Sequence, residues 1–245
     1  MAQLKDPVAR ADLGVARHRQ DLESETPEGR TGLVEIAHRV GKMVEGSHGR
    51  HFQPKLQVML RYLIAVLMPG VPTAPRLPHV VIETTLGRIE VEIDTVRAPI
   101  SGANFLRYVD AKFYDRGSFH RTVTMANQPT NAVKIEVIQA GADTMLHRQN
   151  APIPLERTSV TGLKHLAGTI SMARTGPDTA RDQFFLCVTD QPELNFGGKR
   201  NPDGQGFAAF GRVVAGMDVV RKIQQSPAEG QRLTPVVAIT RIARK

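Results

Sequence analysis

The chain has 245 residues, 41% of them hydrophobic and 23% charged, with a net charge of +8, enough for one large domain or a domain with an extension. The basic excess is scattered. Residues 1–58 contribute +1 (nine Lys/Arg against eight Asp/Glu) and residues 76–245 contribute +6 (22 against 16), with no run of five or six basic side chains, which speaks against nucleic-acid binding. A single cysteine, Cys187, excludes an intrachain disulfide and sits in the apolar run QFFLCV as a small core residue; no CxxC or HExxH spacing marks a metal or redox centre.

Residues 1–30 are polar and charged, without sustained apolar periodicity, the pattern of a poorly ordered segment. Leu33, Val34, Ile36, Ala37, Val40, Met43 and Val44 then fit one face of a helix, with Thr31 as its cap and Gly46 and Gly49 beyond its end. Residues 59–75 read MLRYLIAVLMPGVPTAP. The apolar run 62–68 is too short to span a bilayer, but Arg61, the short apolar segment and the small residues ending at Ala74 have the layout of a secretory signal peptide. A cleavable signal begins a protein, so this reading sets the translation start at Met59, leaves residues 1–58 upstream of it, and sends the product to the periplasm or outside the cell. The alternative is a short buried or interfacial helix inside a genuine extension of a cytoplasmic protein. Sequencing the N-terminus of the native protein separates the two.

From His79 onward the chain is β-rich. Residues 80–85 and 88–94 form a hairpin around Leu86-Gly87, the second run alternating Ile89, Val91 and Ile93 with Glu90, Glu92 and Asp94. Pro99 opens an amphipathic helix over 100–111 carrying Ala103, Phe105, Leu106, Val109 and Ala111. Further strands are expected at 117–123, 135–139, 168–173, 184–188, 207–214 and 235–242, and a second helix over 216–225. Many short strands with two helices indicate a mainly β domain closed into an antiparallel barrel over 79–243, preceded by the N-terminal extension. A domain of about 165 residues buries roughly 70% of its unfolded surface, enough for its own core.

Within the strand at FHRTV, alternation places Phe119, Arg121 and Val123 on one face and His120 on the other. A guanidinium in line with two apolar side chains needs a partner or a reason. The succession ETTLGRIEVEID, APISGANFLRYV, GSFHR, IQAGAD, GTISMARTGPDTARDQFFL and FGRVVAGMDVV resembles the cyclophilin family of peptidyl-prolyl isomerases, in its bacterial members, from about 80 to 243. The most specific piece, SMARTGPDTARDQFF, follows the family's S-M-A-x-x-x-P-x-T-x-x-x-Q-F-F without a gap. The resemblance implies a closed eight-stranded antiparallel barrel capped by two helices.

It also implies a chemistry that needs no nucleophile, metal or cofactor. Rotating an X–Pro bond meets a barrier of about 18–20 kcal/mol because amide resonance is lost. A catalyst needs an apolar slot for the proline ring and donors that favour the twisted amide, and an acceleration of about a millionfold asks for roughly 8 kcal/mol of differential stabilisation. Carried onto matching positions, the family's roles make Arg121 the catalytic arginine, Gln139 its orienting glutamine and a contact to the substrate backbone, and Phe185 the floor of the proline pocket. Ala173 and the backbone of Arg174 match the segment that accepts the extended peptide, Gln183 lines the groove, Leu194 is the pocket's leucine, and Phe207 stands at a wall position that is usually His or Tyr. The implied partners are proline-containing polypeptides, met by a monomer with no stable membrane span.

The chain departs from the family in places. A longer polar link, TVTMANQPTNAVKIEVI, joins Arg121 to Gln139, and QAGAD carries one residue more than the usual Q-G-G-D. With Gln139 in register, Glu136 takes the place of the family's aromatic and Val137 that of its neighbour. There is no Trp, and the position where many eukaryotic members carry one holds Glu193, which implies weak binding of cyclosporin. These changes leave room for a catalytically weak module that binds proline-containing segments as a chaperone or scaffold. The G-x-G-x-x-A run at 204–209 lacks the preceding strand and following helix of a dinucleotide site and is set aside.

Overall fold

The computed structural model describes residues 76–145 and 149–245. The expected helix at 33–44 and the signal-like segment at 59–75 lie outside the described residues. The strands are β1 (His79–Thr84), β2 (Gly87–Ile93), β3 (Ser118–Val123), β4 (Val137–Gly141), β5 (Thr169–Met172), β6 (Phe184–Cys187), β7 (Ala208–Ala215), β8 (Ala228–Glu229) and β9 (Arg232–Arg244). The helices are α1 (Pro99–Asp110), α2 (Thr158–Thr161) and α3 (Met217–Gln224), with a 3-10 turn at Pro192–Leu194.

All strand pairs are antiparallel and the ring closes in the order β1-β2-β7-β5-β6-β4-β3-β9, with β9 returning to β1. Closure leaves eight strands without a free edge. β8 is a two-residue addition hydrogen-bonded to Arg232 and Leu233 outside the ring. The hairpin alternation read from the sequence holds within β2: Ile89, Val91 and Ile93 are fully buried and Glu90 and Glu92 are not, while Asp94, just past the strand, is buried with its carboxylate on Arg97. Its turn needs Gly87, whose φ is +140° and whose position leaves only 2.7 Å between a Cβ and Val219 of α3.

The barrel is filled by aromatic side chains. Phe184 receives Phe105, Tyr114 and Phe119 edge-on, with centroids 5.3, 5.5 and 6.0 Å away. Phe105 comes from α1, whose face Phe105, Leu106, Tyr108 and Val109 closes one end; α3 packs Val219, Val220 and Ile223 into the same core. Asn104 of α1 donates to the Arg181 carbonyl (2.5 Å) and Tyr114 Oη donates to the Asp182 carbonyl (2.7 Å). The core thereby fixes the segment that leads into β6.

Strict alternation fails in β3. Phe119 pairs with Ala140 and the next matched pair is Arg121 with Gln139, so His120 has no counterpart on β4: a β-bulge. Phe119 therefore joins the barrel core while Arg121 and Val123 face outward, correcting the expectation that all three share a face. The partner strand β9 is irregular at the same place, matching Phe119 with Val237 and Arg121 with Arg232, and Pro235, which has no N–H, stands between. His120 is not turned away from Arg121; the two line a shallow hollow with Gln231 and Arg232. Strand β4 runs to Gly141 rather than ending at 139, because Ala140 and Gly141 pair with Phe119 and Ser118. After Gly206 the chain enters β7, a strand and not a helix, as the dismissal of a dinucleotide site requires.

Candidate active site

Outside the barrel wall, four strands present one row of side chains. Arg121 of β3 pairs with Gln139 of β4, Gln139 with Phe185 of β6, and Phe185 with Ser171 of β5. A second row, Val123, Val137 and Cys187, lies beside it. Together they floor a groove of about 550 Å³ whose lining includes Arg121, Gln139, Gln183, Phe185, Leu194 and Phe207.

One side of the groove is apolar. Val123, Ile135, Val137, Phe185, Cys187 and Leu194 form a buried cluster separate from the barrel core, and Ala173 and Phe207 pack on it. Phe207 meets Phe185 edge-on at 5.3 Å and is braced from behind by the Arg174 guanidinium, 5.0 Å from its ring. Arg174 is held in turn by a bidentate pair with Asp203 (2.7 and 2.9 Å) and by the Gly206 carbonyl (2.8 Å). Its hydrogen bonds hold the Asp203 carboxyl down at about 2. Gly206 is at φ +66°, and a Cβ there would stand 2.5 Å from the Asn195 carbonyl carbon, so the approach that places Phe207 beside Leu194 requires glycine. Burial pushes the Cys187 thiol far up, which leaves it protonated and part of the wall.

The other side is polar and ordered. Gln139 Oε1 accepts from Arg121 Nη1 (2.8 Å) and its amide nitrogen donates to Gln183 Oε1 (2.6 Å). Arg121 Nε and Nη2 both donate to Gln231 Oε1 (3.0 and 2.6 Å), and Gln231 Nε2 donates to the Asn127 carbonyl (3.1 Å). Three of the guanidinium's five N–H donors are thus fixed on neutral oxygens, and two remain for a ligand. Burial lowers the Arg121 pKa and the nearby charge of Arg200 lowers it further; an arginine stays cationic through such a shift.

The structure brings together every position expected to form the site: Arg121, Gln139, Phe185, Ala173, Arg174, Gln183, Leu194, Phe207 and Val137 all line one groove. Three details differ from expectation. Glu136 does not face the groove; its carboxylate accepts from Thr189 Oγ1 (3.0 Å) and Gln224 Nε2 (3.4 Å), and Ile135 fills the wall instead. The Ala173 N–H is taken by the Gln183 carbonyl (2.9 Å), so the backbone edge open to a peptide is that of Arg174, whose N–H and C=O have no protein partner among the described residues. The long link after Arg121 is not loose: buried Gln128 spans it, donating to the carbonyls of Thr124 (2.7 Å) and Ile135 (2.8 Å) and accepting from the Ile135 N–H (3.2 Å).

Two contributors have no signal in the sequence. Gln231 sits in the turn between β8 and β9, 110 residues from Arg121. His165 lies beneath the floor, stacked on Phe185 at 6.0 Å, its Nδ1–H on Asn195 Oδ1 (2.9 Å) and its Nε2 facing Ser171 Oγ (3.0 Å). Burial holds it down at about 4, so it is neutral near pH 7 and supports the ring without titrating.

Known proteins share this arrangement's frame. The family model described as cyclophilin type peptidyl-prolyl cis-trans isomerase/CLD matches residues 79–244. The peptidyl-prolyl cis-trans isomerase of Acinetobacter baylyi is 36% identical over 172 residues, covering 69% of this chain and 85% of its own. Peptidyl-prolyl cis-trans isomerase A of Dickeya dadantii is 37% identical over 153 residues, covering 62% and 73%. The crystal structure of a cyclophilin type isomerase from Cryptosporidium parvum, determined in the presence of the dipeptide Ala-Pro, superposes with a TM-score of 0.55 at 22% identity over 68% of this chain and 98% of that one, and so shares the fold. With the family model spanning the whole barrel, the chain belongs to the cyclophilin-type peptidyl-prolyl cis-trans isomerase family.

Proposed function

We propose that the groove rotates X–Pro bonds in polypeptides by a non-covalent mechanism in which Arg121 is the donor that favours the twisted amide. The observation that carries this is the guanidinium held by Gln139 and Gln231 directly beside the Phe185 slot, with two N–H groups free. A proline ring seats against Phe185, Val137, Ile135, Leu194 and Phe207, and the preceding residue runs along the open backbone edge of Arg174. In the planar amide the prolyl nitrogen lends its lone pair to the carbonyl and accepts nothing. As the bond twists, that pair localises and becomes an acceptor, so a donor placed there binds the transition state better than the ground state. Half-burial strengthens the interaction by keeping water off it. Gln183, whose Oε1 is engaged by Gln139, keeps its amide N–H groups for the substrate backbone.

In a cell such an activity shortens folding phases limited by proline isomerisation, which take about 10–100 s uncatalysed. The test is magnetisation-exchange NMR on an Ala-Pro-containing peptide with wild-type protein and Arg121→Ala. Exchange accelerated by the wild type and about a hundredfold slower in the variant supports the reading, by comparison with the loss of one transition-state donor elsewhere. Folded wild type that binds the peptide without accelerating exchange makes the protein a binding module.

A further inference from the structure

The groove is lined by four arginines, and they are not equally neutralised. Arg174 is paired with Asp203. The other three rest on neutral oxygens: Arg121 on Gln139 and Gln231, Arg181 on the Asn150 carbonyl (2.7 Å), and Arg200 on the Val133 carbonyl (2.6 Å). Among the described residues none of these three belongs to an ion pair. Against them stands one other groove carboxylate, Asp182, which is buried with its oxygens taken by the Gln149 side chain and the Ala142 N–H. The groove itself therefore carries surplus positive charge.

Arg200 occupies the position from which that surplus can be read. Its backbone N–H is fixed on the Glu193 carbonyl (3.2 Å), and its side chain crosses to Val133, so it bridges the two loops flanking the slot of Ile135, Leu194 and Phe207. One guanidinium N–H is used; the other four have no acceptor among the described residues. The Glu193 carboxylate accepts from the Lys199 N–H (2.8 Å) and forms no ion pair with Arg200. Arg200 is half-buried and within electrostatic range of Arg121, and two cations sharing a partly dehydrated groove repel. A carboxylate brought in by a bound segment relieves that repulsion and gains from both charges.

We propose that the groove selects X–Pro segments carrying a carboxylate side chain next to the proline, with Arg200 as the residue that reads the charge. The proposal rests on the isomerase reading for its substrate, and the experiment separates the two. Peptides of the form Ala-Xaa-Pro-Yaa-Ala, with Glu, Gln or Lys placed in turn at Xaa or Yaa, are measured for exchange rate and for affinity by titration, at low and at about 0.5 M salt. In the wild type a Glu peptide is preferred over its Lys counterpart by about tenfold at low salt, with Gln between, and the preference shrinks as salt screens the charges. Arg200→Gln brings the Glu/Lys ratio close to one and Arg200→Lys keeps most of it. A wild-type ratio near one, or a preference unchanged in Arg200→Gln, overturns the proposal. If neutral peptides are isomerised without charge preference, the isomerase reading stands alone. If Glu peptides bind preferentially but no peptide is isomerised, charge selection stands and the isomerase reading falls.

Discussion

Arg121 faces the groove because one residue is out of step. His120 occupies the bulge, Phe119 goes inward and the guanidinium goes outward, where Gln139 and Gln231 fix it. A family motif placed Arg121 in the site, but alternation put Phe119 on the same face, since a bulge depends on how two strands meet and leaves no mark in five letters. Gln231 was equally illegible: a turn glutamine gains its role only when β8 and β9 fold back on β3. Its removal is a direct check. Gln231→Ala should lower kcat about tenfold with KM little changed, as a positioning loss does, measured on the exchange assay. His165 gives a second prediction, with its sign set by burial. The folded state holds His165 at about 4 while the unfolded chain titrates near 6.5, so the unfolded state binds a proton the fold refuses. Stability is unaffected above about pH 6.5, falls as pH drops from there to about 4, and is level below, a total of roughly 3 kcal/mol. Denaturant unfolding at several pH values should show wild type losing that stability and His165→Gln losing less.

At the level of elements, the β1–β2 hairpin, α1 and α3 were legible because each carries its own period and its own punctuation. Ile89, Val91 and Ile93 repeat at two, and Pro99 opens a helix whose apolar face recurs at three and four. The 3-10 turn, α2 and β8 were not: two to four residues hold no period, and the first two are tied to distant partners, Leu194 to Phe207 and Thr158 to Phe196, while β8 is a two-residue pairing with the start of β9. The link from Thr124 to Glu136 looked like a threat to the site because it is long and polar. It is instead clamped by Gln128, whose burial satisfies groups at both ends. Gln128→Ala should cost about 1–3 kcal/mol, since it strands the N–H and C=O of Ile135 without partners. The same variant should raise KM more than it lowers kcat, because Ile135 forms wall and does no chemistry; unfolding curves and exchange kinetics on one sample check both.

Across the whole molecule, the closed ring makes groove and core two faces of the same strands. Phe184 and Phe185 are neighbours on β6, one filling the barrel and the other flooring the slot. The fold was legible at this scale because residues 79–244 carry a family's full order of motifs, of which the barrel is the shared consequence. Phe184→Ala should cost about 3–5 kcal/mol by opening a cavity where three aromatic rings meet, seen as a lowered denaturation midpoint. Such a variant should lose activity only as it loses folded protein. The measurement that bears most directly on the central claim is the division of kcat and KM in Arg121→Ala and Arg121→Lys, by exchange NMR on one peptide. A donor used in the twisted state predicts kcat reduced about a hundredfold in Arg121→Ala with KM nearly unchanged, and a partial return in Arg121→Lys. A variant that keeps wild-type kcat and loses only affinity would contradict it, leaving Arg121 a binding residue and the rotation to the slot alone.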